Sequence, residues 1–180
     1  MPTIIFITGG ERSGKSSFAQ QMAEKLSDAP VYLATARVWD QDFAKRIERH
    51  KNDRGERWTT LEEEKELSRH NLAGKVVVLD CITLWLTNLF ADRKFNFETT
   101  LAEAQEEWDR FTRQDFTLIV VSNEIGMSLH AQTEPGRKFV ELQGKINQYI
   151  AGKASEAYLM VSGISVKIKS CPILPDREGC

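Results

Sequence analysis

Residues Gly9 to Ser16 read Gly-Gly-Glu-Arg-Ser-Gly-Lys-Ser, a complete G-x-x-x-x-G-K-[ST] element. It follows the apolar run Ile4-Ile5-Phe6-Ile7 and precedes a helical pattern. Residues of these types at this spacing bind the phosphates of a nucleoside triphosphate. Gly9, Gly10 and Gly14 let the backbone turn and bring N–H groups up to phosphate oxygens, with Glu11, Arg12 and Ser13 as the intervening residues of the cradle. Lys15 supplies a mobile positive charge, and Ser16 carries a hydroxyl able to ligate Mg²⁺. A helix starting near Lys15 adds the positive end of its dipole. The bland alternative is an ordinary Gly-rich turn.

A phosphate loop of this kind needs a second carboxylate for the Mg²⁺ shell, usually at the end of a neighbouring buried strand. Asp80 closes Val76-Val77-Val78-Leu79 and fits that role; its other reading is a helix cap. Asn123 and Glu124 follow Leu118–Ser122, where open α/β sheets place ligand contacts. Turn chemistry by Asn beside a surface Glu is the competing account.

The stretch from Phe43 to Arg54 carries a third kind of chemistry. Helical spacing puts Phe43, Ile47 and His50 on one face, with Arg46, His50 and Arg54 aligned at four-residue steps. A lone helical histidine is more often a packing or surface residue. The cations Arg46, Lys51 and Arg54 change the balance, because like charge favours the neutral, nucleophilic ring and the same cations gather phosphate oxygens. His70 and His130 have no such setting and read as surface or loop residues.

These groups need a scaffold that presents strand ends. Apolar runs suited to buried parallel strands occur at Ile4–Thr8, Val31–Ala34, Val76–Asp80, Leu118–Ser122 and Tyr158–Ser162, separated by helical periodicity. Phe18, Met22 and Leu26 form one stripe, Leu101, Trp108 and Phe111 another, and Phe139, Leu142, Ile146 and Tyr149 a third. Alternating strand and helix predicts a three-layer α/β P-loop fold of the RecA-like type with a mostly parallel sheet. Val161 to Ile168, with Gly163 at its turn, predicts a terminal hairpin ending in an antiparallel edge strand, which Lys167 and Lys169 protect. Glu62 to Glu66 reads as the acidic first turns of a solvated helix.

The chain has 180 residues, 41% of them hydrophobic, enough for one domain, assigned to residues 1–169, with 170–180 as a loosely held tail. Its 24 basic and 26 acidic residues give a net charge of −2, which provides no global field to draw in nucleic acid and favours small anionic partners. Three cysteines, Cys81, Cys171 and Cys180, are too few and too scattered for a disulfide framework or a metal set and suit a reducing compartment. The first residues run into a strand, and no apolar stretch approaches the roughly 18 residues of a membrane span. A cytoplasmic protein with no membrane insertion is expected.

Six ordered segments together resemble one family. They are Gly9 to Ser16, Ala34-Thr35-Ala36, Arg46 to Arg54 with Trp58, Asp80-Cys81-Ile82-Thr83, Val121 to Met127, and Val161-Ser162-Gly163-Ile164. The chain is similar, from Thr3 to about Lys169, to the bifunctional adenosylcobinamide kinase/adenosylcobinamide-phosphate guanylyltransferases of cobalamin biosynthesis. The resemblance implies phosphorylation of the aminopropanol hydroxyl of adenosylcobinamide, then transfer of GMP from GTP to that phosphate with release of pyrophosphate. His50 matches the family's guanylylated histidine. By the same resemblance Thr35, Ala36, Arg37, Lys51, Asn52, Asp53, Arg54, Glu62 and Asp80 contact the guanine nucleotide or its metal, with GTP and ATP as substrates and Mg²⁺ held by Ser16 and Asp80. Family members often carry Glu where this chain has Asp80, a carboxylate one methylene longer. The resemblance also implies a homotrimer.

Two other readings compete with this one. A P-loop kinase of another small molecule would leave His50 merely structural. A RecA-like DNA-stimulated ATPase or binding module conflicts with the net acidity and with the lack of an aromatic and basic stripe.

Overall fold

The computed structural model describes residues 1–37 and 55–170. The expectations placed on Phe43 to Arg54, and on the tail beyond Ser170, therefore lie outside the described residues. In chain order the elements are β1 (Thr3–Gly9), α1 (Lys15–Leu26), β2 (Val31–Ala34), β3 (Thr59–Glu62), a 3-10 turn (Leu67–Arg69), β4 (Val76–Asp80), α2 (Ile82–Asp92), α3 (Phe97–Phe111), β5 (Thr117–Asn123), α4 (Glu134–Lys153), β6 (Glu156–Val161) and β7 (Ile164–Lys169).

The seven strands form one sheet in the order β3-β2-β4-β5-β1-β6-β7. Every pairing is parallel except β6 with β7. Strand periodicity explains why the central runs are apolar throughout, since each must bury both faces. Ile4 and Phe6 of β1, with Leu33, Leu79, Leu118 and Val120, pack with Trp85, Trp108, Phe111, Leu142 and Ile146 of α2 to α4. Their neighbours Ile5 and Ile7, with Tyr32, Val78, Ile119 and Val121, face α1 on the opposite side. The layers are helix, sheet, helix, as the alternation of strand and helix predicts.

Two expectations need correction. On α1, Phe18 and Met22 of the expected stripe pack half-buried against the core beside the buried Lys15, Ala19 and Ala23, but Leu26 is 53% exposed. Small side chains at the contact bring α1 close to the sheet, which leaves the large ones at the margin. Glu62 to Glu66 does not start a helix. Thr59-Thr60-Leu61, a β-prone run, adds β3 beside β2, with Glu62 as its last residue opposite Ala34. Glu63 Oε1 then accepts the N–H groups of Lys65 and Glu66, both at 3.0 Å, and closes a turn before the short 3-10 segment.

The terminal hairpin forms as expected. Val161 pairs with Ile164, and Ser162 (φ 51°) and Gly163 (φ 82°) are both left-handed, as a two-residue turn matched to strand twist requires. Lys167 Nζ pairs with Glu156 at 2.9 Å, and Lys169 Nζ donates to the carbonyls of Ala151 and Gly152 at the end of α4.

Candidate nucleotide site

The parallel strands end together, and their carboxyl ends carry the chemistry. Gly9 closes β1 in register with Asn123 of β5 on one side and Met160 of β6 on the other. Its φ of 153° and its closeness to β6 both demand glycine, because a Cβ there would stand 2.5 Å from the Met160 carbonyl oxygen. The chain then turns through Arg12, left-handed at φ 56°, and Gly14, φ 94°, into α1. Among the described residues no side chain caps α1. Its first N–H groups are therefore left to serve an anion, as the dipole and the sequence element require.

Lys15 is only 7% exposed. Its Nζ folds back to donate to the Gly10 carbonyl at 2.5 Å and to Ser13 Oγ at 3.4 Å. Burial lowers its pKa, against the opposing pull of negative charge at Cys81, Asp80 and Glu11. Two sides of the loop are fixed by backbone bonds. Glu124 N–H donates to Gly9 O at 3.0 Å, which ties the end of β5 to the loop's first residue. Gly163 N–H donates to Ser13 O at 3.0 Å, so the hairpin turn closes over the loop's far side.

Asp80, the last residue of β4, stands in register with Ala34 and Val121. Tyr32 donates to its Oδ2 at 2.6 Å and orients the carboxylate. Glu62, Ala34, Asp80, Val121 and Ile7 stand in one row across the sheet, so with strands about 4.8 Å apart Asp80 lies two spacings, roughly 10 Å, from Ile7 and Glu62 four, roughly 19 Å, with Gly9 two residues further along β1. The Ser16 hydroxyl and the Asp80 carboxylate are hard oxygen donors, the set that suits Mg²⁺ shared with substrate phosphates. The residues present fit that ion.

Thr35 and Arg37, two further sequence candidates, are held by contacts within the chain. Thr35 is fully buried: its hydroxyl donates to Cys81 O at 2.7 Å and accepts from Cys81 N–H at 2.9 Å. It joins the end of β2 to the start of α2, and Asn88 fixes its carbonyl at 2.8 Å. Ala36 is half-buried. Arg37 pairs with Glu64 at 2.6 Å and with both Asp92 oxygens at 2.9 and 3.2 Å, and Lys65 joins Asp92 at 2.8 Å. This ion cluster holds the chain where it enters the stretch that contains His50. Lys51, Asn52, Asp53 and Arg54 lie with His50 outside the described residues.

Sequence reasoning missed three supports of the site. Tyr32, read only as core, is the residue that aims Asp80. The Thr83 hydroxyl accepts the Asn123 N–H at 3.1 Å, which links α2 to the end of β5. Behind that end, Ser122, Gln143 and Asn147 form a buried cluster: Ser122 Oγ donates to Asn147 Oδ1 at 2.6 Å, Gln143 Nε2 bonds both, and Asn147 Nδ2 reaches the Asn123 carbonyl at 3.2 Å. Two polar residues on the helical stripe of Leu142, Ile146 and Tyr149 were the available signal.

A lysine-bearing glycine loop between the first strand and first helix of a parallel sheet, with an acidic residue ending a nearby strand, defines a P-loop nucleotide-binding protein. The fold is similar to that of an ATPase from the type III secretion system of pathogenic bacteria, with a TM-score of 0.53 and 9% identity over 92% of this chain and 56% of that one. Residues 5–168 match the family described as cobinamide kinase / cobinamide phosphate guanyltransferase, and the chain belongs to it. It is 34% identical over 181 residues to the bifunctional adenosylcobalamin biosynthesis protein CobU of Escherichia coli, covering 92% of this chain and 99% of that protein. It is 33% identical over 175 residues to the CobP protein of Pseudomonas aeruginosa, covering 93% and 98%.

Proposed function

We propose that the chain phosphorylates the hydroxyl of adenosylcobinamide and then transfers GMP from GTP to the phosphate so formed, through a guanylyl group carried on His50. The observation that carries the reading is the loop Gly9–Ser16 in its strand-to-helix setting, with buried Lys15, in a chain of this family. In the first reaction the hydroxyl oxygen attacks the γ-phosphorus of a triphosphate, its proton passes to water, and the nucleoside diphosphate leaves with the electron pair of the broken P–O bond. Lys15 and the N–H groups opening α1 neutralise charge that builds on the transferred phosphoryl oxygens. Mg²⁺, held by Ser16 and Asp80, would supply further charge neutralisation at the phosphates.

In the second reaction an imidazole nitrogen of His50 attacks the α-phosphorus of GTP, a P–N bond forms, and pyrophosphate departs with the electron pair of the broken P–O bond. The phosphate oxygen of adenosylcobinamide phosphate then attacks the same phosphorus, the P–N bond breaks, and the histidine is regenerated. The sequence supports this role through Arg46, Lys51 and Arg54, which favour a neutral ring. Catalysis in the cytoplasm by a homotrimer completes the proposal, and sedimentation equilibrium measures the assembly.

Turnover with two labels tests the assignment. With adenosylcobinamide and Mg²⁺, label from the γ-position should appear in adenosylcobinamide phosphate, and label from the α-position of GTP in adenosylcobinamide-GDP. Transfer of neither label to the corrinoid would refute the reading, and transfer of the γ-label alone to a different acceptor would favour the generic kinase.

A further inference from the structure

We infer that the cleft between the β5–α4 loop and the first turns of α4 is the acceptor subsite, where the corrinoid's apolar ring edge and amide arms rest; this depends on the function proposed above. The cleft has a volume of about 230 Å³ and is lined by Ile125, Leu129, His130, Arg137, Val140 and Glu141 among others. That volume suits the reacting arm and one edge of a large macrocycle.

Position is the first argument. The transferred phosphoryl must lie at the Gly9–Ser16 loop, so the acceptor has to approach that loop from an open side. The β6–β7 turn closes one side, through the Gly163 N–H bond to Ser13 O and a packing in which a Cβ on Gly14 would sit 3.3 Å from the Gly163 Cα. On the opposite side β5 adjoins the loop: Asn123 is in register with Gly9 and Glu124 N–H binds the Gly9 carbonyl, one residue before Ile125 enters the cleft's lining. The end of β5 is also where open parallel sheets receive ligands.

Side-chain chemistry is the second. Met127 is 81% exposed and Leu129 96%, two large apolar groups on one short loop beside the cleft. Flanking them are groups able to bond amides: exposed His130, and Glu141 on α4. Arg137 braces the loop from below, donating to the Gln132 carbonyl at 2.9 Å. Ser128 Oγ donates to Ile125 O at 2.6 Å, and Glu124 Oε1 accepts the Gly126 N–H at 3.0 Å, so the loop holds its own shape. An amide-decorated apolar macrocycle matches a wall of this mixed kind, as small-molecule sites generally combine apolar lining with a few polar groups.

The test uses the full chain and two variants, Met127→Glu and Leu129→Glu, whose exposed positions leave the fold unaffected. Adenosylcobinamide binding is followed by quenching of tryptophan fluorescence, and GTP loading by protein-bound α-label without any corrinoid. Each variant should bind adenosylcobinamide at least about tenfold more weakly, with KM for it raised to match and with GTP loading and thermal midpoint unchanged. Wild-type affinity retained in both variants would overturn the subsite while leaving the proposed function standing. Absence of corrinoid binding and phosphorylation by the wild type would overturn both.

Discussion

Lys15 is an ammonium held in a protein interior with no carboxylate of the described residues in hydrogen-bond contact, a state favourable for phosphate and unfavourable for the empty fold. Lys15→Met should lower both phosphoryl and guanylyl transfer by at least ~100-fold while holding or raising the thermal midpoint near neutral pH. The sign follows from its lowered pKa: the folded chain releases this proton before the unfolded chain does, so the wild type gains stability as pH rises towards 10.5, and the variant lacks that gain. Cys81 behaves oppositely. Burial, then the nearby Asp80 charge, pushes its thiol from 9.0 up to about 12, so the unfolded chain ionises first and stability falls as pH rises above 9.0. Urea titrations from pH 8 to 11 should show a shallower alkaline loss for Cys81→Ala than for the wild type. At this scale the sequence made Gly9 to Ser16 legible, because a backbone turn, a cation and a hydroxyl have to occur at fixed offsets. Tyr32 was not legible, since a strand residue that points its ring into the core and its hydroxyl at Asp80 looks like any other aromatic.

The elements differ in how far their neighbours constrain them. The ends of β1, β5 and β6 are fixed to one another around Gly9. Gly9→Ala places a methyl against the Met160 carbonyl and should cost roughly 1–3 kcal/mol in denaturant unfolding and reduce nucleotide binding with it. The Ser122, Gln143 and Asn147 cluster positions the end of β5 from behind. Asn147→Leu removes the acceptor of two bonds and the donor to Asn123 O, leaving buried polar groups unpaired, and should cost about 1–3 kcal/mol. Continuous apolar runs made the central strands readable. β3 escaped because it is a short edge strand, exposed at Thr59 and Glu62 and half-buried only at Thr60 and Leu61, identified by its pairing with β2. On α1 periodicity found Phe18 and Met22 but missed Ala19 and Ala23, because it highlights large apolar residues whereas close packing on a sheet selects small ones.

Across the whole molecule, the sheet's carboxyl edge lines up three regions: the phosphate loop at β1, the Asp80 carboxylate at β4, and the Arg37, Glu64 and Asp92 cluster where the chain departs towards His50. In the proposed function this one edge serves both the phosphoryl and the guanylyl transfer. The alternation of strand and helix made this architecture readable, while the order of strands and the closure of the loop by the Gly163 turn depended on contacts distant in sequence. The covalent step is the claim on which the account rests, and protein-bound label from α-labelled GTP measures it directly. The wild type, given GTP and Mg²⁺ without corrinoid, should acquire acid-labile, base-stable label that His50→Ala lacks. Equal labelling of the two proteins, or an unlabelled wild type under conditions of full turnover, would contradict it.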